Sequence, residues 1–186
     1  MQLENPEPPP STIRAHTKRS DYIHLLCCKE TTTLKKTTMT GTYLDQLSWP
    51  EAETALSADP VILIPLGARL KEHGYHLPLN NDWLLARYFC RRVMEQANVL
   101  VTPTVQFSFF PAFVDYPGSV NINRDTAGQL LNDLISSLAR HGGKRFYVLN
   151  TGISTNWVLE PLRLKLAEQQ VSMTYLDLLE ALPEIE

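Results

Sequence analysis

With only three cysteines in 186 residues, Cys27, Cys28 and Cys90, the chain cannot build a disulfide framework. The count is odd and two of the three are adjacent, so a reducing cytoplasm is the expected setting. Basic excess is missing too. Seventeen Lys+Arg stand against 20 Asp+Glu, a net of −3, which argues against a nucleic-acid partner. No apolar run approaches the ~20 residues that cross a bilayer. The start, Met1-Gln-Leu-Glu-Asn-Pro6, lacks the basic region and apolar stretch of a secretory signal, so no membrane partner is expected either. No Gly-x-Gly-x-x-Gly follows the first apolar run, which counts against a dinucleotide-binding module. What is present is 44% apolar and 20% charged residues. That balance suits one compact core and argues against wholesale disorder.

Composition changes near residue 39. The first 38 residues carry six basic and four acidic side chains, four prolines, and little to bury besides Tyr22 to Cys28. Such a segment does not offset its ordering entropy. Residues 1–38 are therefore expected to form a disordered extension, and residues 39–186 a folded domain beginning at Met39. Within that domain, apolar periodicity predicts alternating helices and strands. A helix over about 50–58 follows a Ser48 cap, and Val61 to Leu66 is a strand buried on both faces. Asn80 or Asn81 caps a helix whose core side is Leu84, Leu85, Tyr88 and Phe89. A strand at 99–102 follows, then a helix opening at Asp125 and closing at Gly142-Gly143. Its apolar side is Leu130, Leu131, Leu134, Ile135 and Leu138. A strand at 145–150, a helix with Pro161 in its first turn and a strand at 171–176 complete the series. This alternation predicts an α/β fold, a mainly parallel sheet with helices on both faces. Ligands in such folds bind beyond the carboxyl ends of the strands. The loops after Leu66, Thr102 and Asn150 are the places to look.

The first of these loops concentrates chemistry. Glu72, His73, His76 and Asp82 fall within eleven residues. Carboxylate oxygen and imidazole nitrogen are the usual ligands of Zn²⁺ or Mn²⁺ in hydrolytic sites. Gly74 and Pro78 allow a tight turn through which Glu72, His73 and His76 would converge, and Asp82 sits where a helix dipole favours a carboxylate. A polar loop whose histidines only bond backbone remains the alternative. The order Glu-His-x-x-His is not that of the helical zinc-peptidase motif.

These residues also carry a resemblance. Ile62-Leu-Ile-Pro-Leu-Gly-Ala68, Glu72-His-Gly-Tyr-His-Leu-Pro78 and Asp82 resemble the creatininase (creatinine amidohydrolase) family. That family's usual form is Leu-Pro-x-Gly-[Ala/Ser]-x-Glu-Gln-His-Gly-x-His-Leu-Pro followed shortly by Thr-Asp. Thr102-Pro103, Tyr116-Pro-Gly-Ser119, Leu138-Ala-Arg-His-Gly142 and Val148-Leu-Asn150 are similar to further family segments in the same order. The resemblance implies a three-layer α/β/α fold, an often hexameric homo-oligomer, and metal-dependent hydrolysis of small cyclic or linear amides. It assigns Glu72, His73 and Asp82 to a divalent metal (Zn, Mn or Fe), with Asp82 as the bridge. His76 matches the motif's second histidine and reads as a group that either supports a metal ligand or faces the substrate, where a buried His76 could move a proton to the leaving nitrogen.

Two departures accompany it. Glu72 directly precedes His73, whereas the usual motif has one residue between them, and Lys71 holds that usual glutamate place. The loop Asn150-Thr-Gly-Ile-Ser-Thr-Asn156 has neither the His nor the Glu of many relatives and reads as a structural turn. Phe107, Phe109, Phe110, Phe113 and Tyr116 in the middle loop read as a substrate wall, a subunit contact or core. Family members run on past the fourth strand, so a C-terminally incomplete domain is expected. A two-metal site needs about three ligands per ion, which leaves a non-catalytic relative serving assembly as the rival reading. Metal is expected at or below one ion per chain.

Overall fold

The computed structural model describes residues 39–181. The expected disordered extension, with Cys27 and Cys28, lies outside the described residues. Five strands and five α-helices alternate: β1 (Thr42–Tyr43), α1 (Trp49–Ser57), β2 (Val61–Leu66), α2 (Asn81–Met94), β3 (Val99–Val101), α3 (Arg124–Ala139), β4 (Arg145–Asn150), α4 (Asn156–Glu168), β5 (Ser172–Tyr175) and α5 (Leu178–Ala181). All strand pairs are parallel, in the order β1-β3-β2-β4-β5. The sheet is wholly parallel where the sequence predicted mainly parallel. The two-residue β1 is too short to leave a periodic signal and was not predicted.

β2 lies at the centre, and its unbroken apolar run follows from burial on both faces. Ile62, Ile64 and Leu66 share one core with Leu56 of α1, Leu131 and Ile135 of α3, and Leu159 and Leu166 of α4. Leu63 faces the other way, toward Cys90 and Met94 of α2. Helices therefore cover both faces of the sheet, giving the expected three layers. Burial pushes the Cys90 thiol up to about 11, so Cys90 behaves as a small apolar core residue. No helix among the described residues is long and apolar enough to cross a membrane.

Local signals account for most helix ends. Before α1, the Ser48 N–H donates to Glu51 Oε2 at 2.8 Å, closing a capping box. Asn123 caps α3 by accepting from the Asp125 N–H at 2.8 Å. After α3, the Gly143 N–H returns to Leu138 O at 3.1 Å while Gly142 sits at φ +103°, a left-handed closure that glycine tolerates.

Two helices differ from the sequence expectation. In α2 the predicted core side is turned outward: Leu84, Leu85, Tyr88 and Phe89 are 39–51% exposed. The buried side is Asp82, Ala86, Cys90 and Met94, spaced by four. In α3, Leu131 and Ile135 are buried as expected, while Leu130 is exposed.

α4 begins at Asn156, so Pro161 falls inside the helix and not in its first turn. A proline there has no N–H to give, which orphans the carbonyl four residues back. That carbonyl is Trp157 O, and the Arg124 guanidinium takes it through Nη2 at 2.7 Å and Nε at 3.1 Å. Arg124 at the start of α3 thus repairs the break in α4. Replacing Arg124 by alanine is expected to cost about 1 kcal/mol, the net worth of such a bond. Urea unfolding checks it, and the loss should vanish in a Pro161→Ala background.

Topology places the site. β3 and β4 flank β2 on opposite sides, so the chain reverses its direction of sheet growth beside the carboxyl ends of β2 and β4. Ligands bind at such switch points.

Candidate metal centre

Gly67, the first residue after β2, lets the start of α2 press onto the sheet. A Cβ there would lie 2.4 Å from Asp82 O and 2.7 Å from Thr151 Oγ1. Thr151 follows β4, and its hydroxyl donates to Asp82 O at 2.8 Å, within 3.2 Å of Leu66 O as well. The Trp83 N–H reaches Ala68 O at 3.3 Å. The first turn of α2 is therefore pinned to the ends of β2 and β4. Two guanidinium groups stand over the Trp83 ring, Arg69 at 4.7 Å and Arg87 at 4.5 Å from its centre.

This pinning buries the Asp82 side chain to 7% exposure, with two partners. Lys71 Nζ lies 2.9 Å from Oδ2, and His73 Nε2 lies 2.8 Å from Oδ1. On the other side of the ring, His73 Nδ1 is 2.7 Å from Lys71 O. A carbonyl and a carboxylate both only accept, so the ring donates an N–H in each contact, Nδ1–H to Lys71 O and Nε2–H to Asp82. A backbone carbonyl fixing Nδ1–H in this way is the usual support of a metal-binding histidine. The Lys71 ammonium also stands 5.9 Å from the Phe113 ring centre.

Glu72 is not brought to this pair. Lys71 and His73, two residues apart, reach Asp82 together, while Glu72 between them follows the alternation of extended chain. Its N–H donates to Ser119 Oγ at 3.1 Å, and its carboxylate accepts from the Gly74 N–H. His76 is exposed at the loop tip, its Cε1 3.4 Å from the position of a Cβ on Gly74. The expected convergence of Glu72, His73, His76 and Asp82 thus narrows to His73 and Asp82. Among the described residues, no three His, Cys, Asp or Glu side chains form a group able to hold a metal.

The donor set therefore fits the first two ligands of one divalent ion. His73 presents the correct nitrogen and Asp82 one oxygen, but a hydrolytic ion takes three protein ligands and a two-ion site more. Lys71 was not assigned a role from the sequence. The signal was its position, the place of the usual glutamate. Thr151 and Ser119 were missed as well, because hydroxyls that brace backbone have no recognisable spacing.

The remaining loops are tied down by hydrogen bonds. Asn150 is fully buried, with Nδ2 donating to Gly152 O at 2.8 Å and to Asn156 Oδ1 at 3.0 Å, and Oδ1 accepting from the Gly152 N–H at 3.0 Å. The loop after β4 is therefore a turn held by the Asn150 side chain. The middle loop is laced to the first by Arg69 N–H to Gln106 O at 2.9 Å and Val120 N–H to Leu70 O at 2.9 Å. Of its aromatics, Phe110 is core, while Phe113 and Tyr116 are exposed with ring centres 6.3 Å apart.

Comparison with known proteins shows the family and the fold. The family model Creatininase, described as creatinine amidohydrolase, matches residues 45–182. A creatinine amidohydrolase of Pseudomonas putida is 32% identical over 133 residues, 68% of this chain and 51% of the relative. The structure of a manganese form of creatininase superposes with a TM-score of 0.67 at 29% identity, covering 74% of this chain and 58% of that one. A creatininase mutant of Zn–Zn type gives 0.66 at 30% identity, covering 73% and 57%. The chain thus spans about half the length of the relatives it matches.

Proposed function

The chain belongs to the creatininase family, and we propose that it takes part in the metal-dependent hydrolysis of a C–N bond in a small cyclic or linear amide, creatinine being the first compound to test. The observation that carries this reading is the pair His73 Nε2 and Asp82 Oδ1, 2.8 Å apart at the carboxyl edge of β2. The proposed cofactor is Zn²⁺, Mn²⁺ or Fe²⁺, held by His73 and Asp82 with Glu72 swung from Gly74 as a third ligand. When bound, such an ion polarises a carbonyl and lowers the pKa of water.

The chain's own residues supply the rest. Lys71 O holds the His73 ring by Nδ1, so Nε2 stays directed at the ligand position. Thr151 anchors the Asp82 backbone, so the carboxylate cannot follow a departing product. His76 stands exposed on the same loop, and the proposal gives it the proton for the leaving nitrogen.

The test is hydrolysis of creatinine and a panel of cyclic and linear amides by the Mn²⁺- or Zn²⁺-supplemented protein. Turnover is expected to be slow and metal-dependent. His73→Ala and Asp82→Ala should each lower it by about 10²-fold or more, the size of losing one preorganised electrostatic contact. Turnover that survives both substitutions overturns the reading.

A second reading, a non-catalytic family relative serving assembly, is favoured by one observation, the Lys71 ammonium on Asp82. It expects no turnover under any metal. A homo-oligomer belongs to both readings, supported by the four large apolar side chains that α2 leaves exposed over two turns. Phe89→Glu is expected to shift the protein toward monomer in light scattering, with its circular dichroism unchanged. A cytoplasmic setting, without nucleic-acid or membrane partners, remains part of the proposal.

A further inference from the structure

We propose that the Lys71 ammonium is a built-in cation standing where a divalent ion would meet Asp82 Oδ2, so that Lys71 sets the metal affinity of this site. The inference rests on the reading of His73 and Asp82 as metal ligands. Charge is the first argument. The Lys71 ammonium delivers a full positive charge to Asp82 at 2.9 Å. The carboxylate is neutralised without a metal.

Position is the second argument. Lys71 is not a loose surface cation reaching in. Its side chain is 16% exposed, its N–H donates to Leu79 O at 3.0 Å, and its carbonyl holds His73 at 2.7 Å. Phe113 lies beside the ammonium at 5.9 Å. A positive group fixed on Oδ2 repels a second positive charge there, so an ion bound through both Asp82 oxygens must first displace it. An ion at Nε2 and Oδ1 meets only two ligands for as long as Glu72 stays on Gly74. Lysine thus limits the site to one weakly held ion.

The experiment uses the full chain and titrates ZnCl₂ and MnCl₂ by isothermal calorimetry into the wild type, Lys71→Glu and Lys71→Met, each also in a His73→Ala background. Lys71→Glu adds a carboxylate and Lys71→Met removes the competitor. Both are expected to bind Zn²⁺ at least about 10-fold more tightly than the wild type, the size of effect that groups around a metal's ligands exert. In EDTA both should melt below the wild type, and Zn²⁺ should raise their melting temperatures more than that of the wild type. Wild-type affinity equal to that of the folded variants overturns the inference and leaves the proposed function standing. If Lys71→Glu does not fold, Lys71→Met decides alone by the same comparison. Should tight Zn²⁺ binding appear in all three and persist with His73→Ala, the assignment of His73 as a ligand falls, and the inference with it.

Discussion

Asp82→Ala is expected to destabilise the fold by about 3 kcal/mol, the lower part of the range for breaking a buried ion pair. For a domain of this size, that corresponds to a fall in melting temperature of about 10 °C. The magnitude follows from what the carboxylate leaves behind. Lys71 and His73, whose side chains are 16% and 12% exposed, would keep their positions without a partner. The Lys71 ammonium would then be stranded against the Phe113 ring. The loss is thus mainly the cost of an orphaned charge, and removing that charge should restore stability. Lys71→Met combined with Asp82→Ala is expected to be more stable than Asp82→Ala alone, a coupling that chemical denaturation of the four proteins in the cycle measures. A single-mutant loss below about 1 kcal/mol would mean the pair is solvated and worth no more than a surface bridge.

The same residue explains why α2 was read with its faces reversed. Leu84, Leu85, Tyr88 and Phe89 are the largest apolar residues in the helix, and periodicity put them inside. The rotation of α2 is fixed instead by its first turn, where Thr151 holds Asp82 O and Gly67 permits the approach. Once Asp82 faces the sheet, the positions that follow it inward are 86, 90 and 94. Those are Ala86, Cys90 and Met94, which pack closely because two of them are small. A tertiary contact at one end decided what side-chain size alone could not. Pro161 teaches the same lesson. Its rule-based place is a first turn, and it sits deeper because Arg124, 37 residues earlier in the chain, satisfies the carbonyl it orphans.

Other parts were legible for physical reasons. β2 and β4 are buried on both faces and leave unbroken apolar runs. The first loop was legible as chemistry because imidazole and carboxylate at close spacing are the usual metal-ligating types. Which of its four polar residues converge was not legible. That depends on alternation within three residues, Lys71, Glu72 and His73, and the outer two share a side. Reading Glu72 as a ligand took its carboxylate to point inward beside His73. In the structure Lys71 reaches Asp82 instead, and Glu72 folds back onto Gly74.

Gly67→Ala is the second substitution with a large expected effect. The added Cβ would lie 2.4 Å from Asp82 O, 2.7 Å from Asp82 C and 2.7 Å from Thr151 Oγ1, well inside van der Waals contact. Two of these atoms are backbone in the first turn of α2, so no rotamer change relieves them. Either the helix start lifts from the sheet or the end of β2 bends. Both routes break the Thr151 bond and open the His73–Asp82 pair. Overpacking of this kind costs about 3 kcal/mol, so the variant is expected to lose that much in urea unfolding and to lose Zn²⁺ binding together with it. Gly128→Ala in α3 is the control. Its Cβ would meet only Val158 Cγ1 at 3.7 Å, an ordinary contact, and alanine is favoured over glycine inside a helix by about 1 kcal/mol. The two glycine substitutions should therefore move stability in opposite directions. A Gly67→Ala protein as stable as the wild type would show that α2 is not pinned at Asp82, and the buried geometry of the site would have to be redrawn.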